Sequence, residues 1–143
     1  MHLNLRLIKA VAAASLLVAL GAAAGFAANR FGKPKSVIHV VTLYYKDGTT
    51  EEQKKSVLDA IEKMASEVPG IKNVWLKSTK VQGVFSEKQP DGTIKPRPFT
   101  DAFVIEFEDQ AAFDKYTNHP AHKAFEELYT PLRGRSSTHD ITN

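Results

Sequence analysis

The stretch Tyr116-Thr-Asn-His119-Pro-Ala-His122 follows the apolar run Phe103-Val-Ile-Glu-Phe107 after one short connecting segment. A proline is well tolerated at the first position of a helix, and it drives the preceding residue out of helical angles. The stretch therefore predicts a helix that starts at Pro120, with His119 as its N-cap and His122 one turn inside. A phenol and two imidazoles at a helix start are groups that can move protons near neutral pH.

Outward from this stretch, segments typical of strands and of helices alternate along the chain. Thr49-Thr-Glu-Glu52 fits a capping box that opens a first helix, and Pro69-Gly70 ends it. The order βαββαβ predicts a ferredoxin-like α+β fold, an antiparallel sheet with helices on one face. The predicted elements are strands at 36–45, 71–81, 99–108 and 135–142, helices at 50–68 and 109–116 and after His119, and a flap or small hairpin at 82–98.

Three more segments stand in order with the tyrosine-histidine stretch: Val37-Ile-His39-Val-Val-Thr-Leu43, Val68-Pro-Gly-Ile71 and Phe107-Glu-Asp109. Together they resemble the signature of the stress-responsive A/B barrel (Dabb) domain family. The resemblance covers nearly the whole chain after its first 35 residues, so residues 36–143 are predicted to form one Dabb domain. It implies a dimeric α/β barrel, in which the chain pairs with itself as a homodimer.

The first 28 residues have the three-part form of a secretory signal peptide. Two basic residues lie within Met1–Lys9, an uncharged stretch covers Ala10–Ala28, and Gly25-Phe-Ala27 fits a small-x-small cleavage site. The alternative is an uncleaved anchor, because 19 uncharged residues just reach the length that spans a hydrocarbon core. Either reading predicts an exported domain, periplasmic or secreted or held at the membrane, joined to the leader by a linker at 29–35.

Charge and cysteine content exclude several functions. The formal net charge is +3, and without Arg6 and Lys9 of the leader 17 basic residues face 16 acidic ones. A nearly balanced domain provides no electrostatic basis for binding nucleic acid. The chain has no cysteine, which excludes disulfides, thiolate metal sites and cysteine catalysis.

Alternation along the first and third strands brings polar groups onto apolar faces. His39 shares its face with Val41, and Asp101 shares its face with Phe103. If the helices cover these faces, the side chains converge with the helix-start motif on one partly apolar pocket for a small molecule. The predicted pocket residues are His39, Val41, Asp101, Phe103, Tyr116, His119 and His122.

The resemblance also implies roles for some of these residues. Within the Dabb family, a polyketide cyclase uses a tyrosine and a histidine of this motif as its acid and base, which correspond here to Tyr116 and His122. Its first-strand histidine corresponds to His39. Where that enzyme has a further pocket histidine, this chain has Asp101, a departure that counts against the cyclase reaction itself.

Three hypotheses follow for the function. The first is an exported homodimer that binds a small apolar ligand, the second is a lyase or cyclase with Tyr116 and His122 as its acid-base pair, and the third is a non-catalytic structural stress protein. Each side chain also has a structural interpretation. His122 can hydrogen-bond inside the fold, and Tyr116 can be a core aromatic with its hydroxyl satisfied. The others are His119 as a cap, His39 paired with Asp101, and His139 with Asp140 as a solvated edge pair. We expect no cofactor and no metal, because His-x-x-His alone is a weak metal motif.

Overall fold

The computed structural model describes residues 32–143, and the predicted leader and the start of the linker lie outside them. Within this part of the chain, no helix is both long and apolar enough to cross a membrane. The elements are β1 Val37–Tyr45, α1 Glu51–Glu67, β2 Ile71–Trp75, β3 Val84–Lys88, β4 Ile94–Pro98, β5 Asp101–Phe107, α2 Gln110–Tyr116, α3 Pro120–Tyr129 and β6 Arg133–Ile141.

Strands β2, β5, β1 and β6 form one antiparallel sheet in that order. This order, with α1 joining β1 to β2 and α2 and α3 joining β5 to β6, is the predicted ferredoxin-like α+β layout, which is confirmed. Parity along each strand sends alternate side chains to the helices and to the opposite face. The helix-covered face of β1 and β5 holds the centre of the core, including Leu43, Ile105 and Phe107.

Helix α1 starts one residue later than predicted. Its N-cap is Thr50, which accepts from the backbone N–H of Gln53 while the Gln53 side chain accepts from the Thr50 N–H. This is a complete capping box, which satisfies two backbone donors that a helix start otherwise leaves unpaired. Both Thr49 and Thr50 have an acceptor three residues on, so the sequence motif holds two overlapping candidates.

Strand β2 is shorter than predicted, because it ends at Trp75 rather than near residue 81. The residues that follow are mostly exposed and mostly polar, so no continuous apolar side holds them against the sheet. The predicted hairpin is found as β3 and β4. The two prolines of β4, Pro96 and Pro98, stay within a strand because each strand of an isolated pair has a free edge, where a missing N–H costs no ladder bond.

Candidate active site

A hollow of about 290 Å³ lies between the helix-covered face of the sheet and the two short helices. It lies between β6 on one side and α3 on the other. Aromatic rings line much of it, and polar groups cluster toward its two ends. Its lining residues are His39, Val41, Phe103, Phe113, Tyr116, Thr117, His122, Phe125, Glu126, Tyr129, Arg133, Ser136, Thr138 and Asp140.

His122 is held by the start of α3. His119 caps this helix by accepting the Ala121 N–H at Nδ1, 3.2 Å away, and Pro120 occupies the first helical position. The His122 side chain turns back so that its Nδ1 lies 3.2 Å from the carbonyl oxygen of Thr117. A carbonyl only accepts, so Nδ1 carries the proton. The neutral ring therefore keeps its lone pair on Nε2, the atom that can act as a base.

His39, on β1, is oriented in the same way by a different acceptor. Its Nδ1 lies 2.6 Å from a carboxylate oxygen of Asp140, which β6 places directly opposite it in the sheet. An ionised carboxylate accepts the Nδ1 proton and leaves Nε2 free. The ring also packs near Phe107, Phe113 and Tyr116. His39 is therefore fixed in orientation and tautomer by one charged and several aromatic neighbours.

Tyr116 ends α2 between the two imidazoles. Its ring centroid lies 4.1 Å from that of His122 and 5.8 Å from that of His39. Burial raises the pKa of the Tyr116 phenol, and the nearby charges of Glu126 and Asp140 raise it further. The phenol therefore remains a neutral hydrogen-bond donor throughout the physiological pH range.

The reactive atoms at this end of the hollow are not fully enclosed. Across residues 32–143, the fully enclosed side-chain nitrogens and oxygens that lack a hydrogen-bond partner are Arg97 Nε and Tyr129 Oη. Neither free Nε2 atom nor the Tyr116 hydroxyl belongs to this group, and no described residue hydrogen-bonds them. A small molecule in the hollow can therefore meet two bases and one acid.

Comparison with known families identifies the domain. A model of the Stress responsive A/B Barrel Domain (Dabb) matches residues 37–143, about three quarters of the chain. The chain belongs to the Dabb family. The comparison with curated proteins found no match.

Solved structures similar to this Dabb domain share its fold at low sequence identity. A dimeric ferredoxin-like protein of unknown function from Thermobifida fusca is 17% identical over 79% of this chain and 95% of its own, with a TM-score of 0.53. Hydroxynitrile lyase from Passiflora edulis is 18% identical over 76% and 93%, with a TM-score of 0.55. SnoaB, a cofactor-independent oxygenase from Streptomyces nogalater, is 14% identical over 76% and 93%, with a TM-score of 0.53.

The Dabb domain brings together most of the predicted pocket. His39, Val41, Phe103, Tyr116 and His122 all line the hollow. Two predicted residues do not. They are Asp101 and His119, and each is accounted for by its own position in the fold.

Asp101 lies on the helix-covered face, as its parity predicts, but it lines a different cavity together with Tyr45 and Lys54. It pairs across the sheet with Leu43, four residues along β1 from His39, and its carboxylate accepts from the Thr100 hydroxyl. The predicted contact between Asp101 and an imidazole of the hollow is therefore corrected: the carboxylate that orients His39 is Asp140. His119 serves as a cap outside the hollow.

Asp140 lines the hollow and contacts His39, but it is not among the predicted pocket residues, since it was interpreted as part of a solvated edge pair. The signal that could have found it is strand pairing. The ferredoxin-like order puts the first and last strands side by side, and a carboxylate near the end of the last strand then lies close to the start of the first.

No group of three or more histidine or acidic side chains within the described part of this Dabb domain is arranged to hold a metal ion. The two imidazoles have separate partners, a backbone carbonyl for His122 and a carboxylate for His39. What the arrangement offers chemically is proton transfer: two imidazoles and a phenol around one small hollow.

The hydrogen bonds of the three histidines predict their tautomers. At about pH 8.5, where a free imidazole is neutral, we expect His39 and His122 to carry their proton on Nδ1 and His119 on Nε2. Long-range proton–nitrogen correlation spectra of ¹⁵N-labelled protein measure this for each ring. His119 is the internal control, because its Nδ1 accepts a backbone N–H. An Nε2–H tautomer at His122 would contradict its assignment as a base.

Proposed function

We propose that this Dabb domain binds a small, mostly apolar carbonyl compound and moves a proton on it, as a lyase or cyclase does. The observation that carries the proposal is the pair of oriented imidazoles. Both have Nδ1 tied to an acceptor, so both offer Nε2 as a base beside a phenol held neutral by burial. A histidine with a purely structural role does not require a free Nε2 lone pair in the same hollow as the free Nε2 lone pair of another histidine.

The chemistry follows from these positions. Nε2 of His122 takes a proton from the carbon next to the carbonyl group, and the Tyr116 hydroxyl donates a hydrogen bond to the enolate oxygen that forms. In a lyase the enolate then expels a group from the neighbouring carbon, and in a cyclase it attacks a second carbonyl. The proton on His122 returns to the leaving group or to the new alkoxide, which restores the neutral ring.

The similar structures support this reading at the level of the fold. One is a hydroxynitrile lyase and another is a cofactor-independent oxygenase, so proteins with this fold include enzymes. Identities of 14–18% transfer no residue role. The case for catalysis in this chain rests on its own imidazoles and phenol.

Proton exchange tests the proposal without knowledge of the natural substrate. We expect the protein to speed the loss of the α-proton signals of 4-phenylbutan-2-one in D₂O, followed by NMR, relative to the same protein after heat inactivation. A pure binding protein would broaden the ligand signals but leave exchange at the buffer rate. A structural stress protein would do neither, so the assay separates all three hypotheses.

We further propose that the domain is a homodimer formed through the sheet face opposite the helices. Trp75 and Ile141 on this face are 50% and 58% exposed, which is costly for large apolar side chains without a partner. Similar structures are described as dimeric. Sedimentation velocity should give twice the protomer mass, and Trp75→Asp should shift the protein toward a monomer.

Export is the remaining part of the proposal. It is supported by the basic start, uncharged middle and small-x-small site of residues 1–28. N-terminal sequencing of protein recovered after expression with its leader should begin at Ala28. An intact Met1 on a membrane-bound product would instead support the anchor.

A further inference from the structure

Arg133 opens β6 at the end of the hollow far from the imidazoles. It is half-buried, and it lines the hollow together with Tyr129 and Ser136. A guanidinium is always charged and presents a planar fork of donors that matches a carboxylate. Its presence in a hollow otherwise lined largely by aromatic rings calls for an explanation.

The charge of Arg133 has no internal partner in the part of the chain that the structure describes. Its guanidinium carbon lies 5.3 Å from the centroid of the Tyr129 ring. No carboxylate oxygen of the described residues lies within 4.0 Å of a guanidinium nitrogen of Arg133. Stacking on an aromatic face leaves the donor edge of a guanidinium free. The half-buried Arg97 shows the contrast, because it stacks on Tyr44 and also pairs with Asp47 at 2.7 Å.

A second polar group at the same end is also unsatisfied. The Tyr129 hydroxyl is enclosed and makes no hydrogen bond of acceptable geometry, although Ser136 is a near polar neighbour. Burial of an unpaired hydroxyl is unfavourable. Arg133 and Tyr129 therefore form a polar end at which, within the described residues, the guanidinium has no carboxylate partner and the phenol makes no hydrogen bond.

The two ends of the hollow are well separated. Arg133 precedes Asp140 by seven positions on one strand, roughly 20 Å between Cα atoms at the usual rise, and both side chains line the same hollow. The aromatic residues Phe103 and Phe125 line it in between. A ligand that reaches both ends is therefore elongated and apolar in its middle.

We infer that Arg133 binds the carboxylate of an elongated carbonyl acid whose reacting carbon lies at the imidazole end. This inference rests on the proposed proton-transfer function, since it names the substrate class of that same site. Glu126 also lines the hollow, on the exposed surface of α3, and its charge opposes an anion. Asp140 is already paired with His39. The guanidinium is thus the group that selects where an anion lies.

Isothermal titration calorimetry with octanoate and octanamide tests the inference, because the two probes have the same chain and differ in charge. We expect the wild type to bind octanoate at least about tenfold more tightly than octanamide. Arg133→Gln should remove this preference. Arg135→Gln is the matched control, since Arg135 lies two residues along β6, is exposed and pairs with Tyr44 on the opposite face. It should keep the preference.

Several results would overturn the inference. They are equal affinity for the two probes, failure of both to bind the wild type at millimolar concentration, or a preference that survives Arg133→Gln. Circular dichroism spectra matching the wild type would exclude misfolding of either variant as the cause. Glu126→Gln provides a second test, because removal of the opposing charge should strengthen octanoate binding and leave the affinity for octanamide unchanged.

The titration also separates this inference from the proposed function. His122→Gln should retain the preference for octanoate, because the imidazole lies at the other end of the hollow. If the protein prefers octanoate but never accelerates α-proton exchange, the carboxylate subsite is supported and the catalytic proposal is wrong. If the protein accelerates exchange but shows no preference for octanoate over octanamide, catalysis is supported and the role of Arg133 is wrong.

Discussion

Replacement of His122 by glutamine is expected to lower the rate of α-proton exchange by about 10²–10⁴-fold, the usual contribution of a positioned general base. Glutamine is similar in size and keeps a donor for the Thr117 carbonyl, so the local fold has little reason to change. It has no basic nitrogen. The rate should therefore fall while the affinity for 4-phenylbutan-2-one, measured by ligand-observed NMR, stays within a factor of about two.

His119→Asn is the matched control for this substitution. It removes an imidazole three residues away, and asparagine is among the best N-cap residues, so α3 keeps its start. Exchange should then continue at the wild-type rate. If His122→Gln also exchanges at the wild-type rate while His39→Gln is inactive, the base is His39, and the assignment of His122 is wrong.

Much of what the sequence predicted correctly about the fold and the site came from the helix-start motif at residues 116–122. Its Pro120 determined where α3 begins, and alternation along the strands correctly assigned the faces of His39 and Phe103. These features depend on neighbours within a few positions, where backbone geometry and side-chain period leave little choice. The one-residue difference at α1 has the same local origin, since Thr49 and Thr50 are both competent caps.

The residue that contacts His39 depends on the register between neighbouring strands, which the alternation of apolar and polar residues along one strand does not determine. Parity placed Asp101 on the correct face, but the pairing of β1 with β5 puts it opposite Leu43. That is four residues from His39, or about 13 Å along the strand. Asp140 lies 101 positions away in sequence and directly opposite His39 in the sheet. Such a contact follows from which strands are neighbours and from the length of every connection between them.

Arg133 illustrates a further limit. Nothing in the sequence around it suggests a site, because a basic residue at the start of a strand is usually a solvated one. Its importance depends on the packing of α3 beside β6, which places its guanidinium over the Tyr129 ring and in the lining of the hollow. Side chains that acquire a role from two packed elements are visible only after those elements have been placed.

Phe107→Ala should produce the largest loss of stability, about 3–5 kcal/mol in the free energy of unfolding. The Phe107 side chain is fully buried. Its ring centroid lies 5.0 Å from that of Tyr116 and 5.3 Å from that of Phe113. Truncation removes apolar contact area and leaves a cavity that rigid neighbours fill only in part. Urea denaturation followed by circular dichroism measures the change.

Phe85→Ala is the control, because it removes the same ring from the half-buried hairpin, where Tyr44 and Phe99 are its aromatic neighbours. Its cost should be clearly smaller. Phe107 also packs edge-on against His39, 6.4 Å between ring centroids, so its loss loosens one imidazole and the phenol together. Exchange should therefore fall in Phe107→Ala even under conditions where the variant is fully folded. If the stability loss of Phe107→Ala is no larger than that of Phe85→Ala, the ring is not central to the core, and its support for the site fails with it.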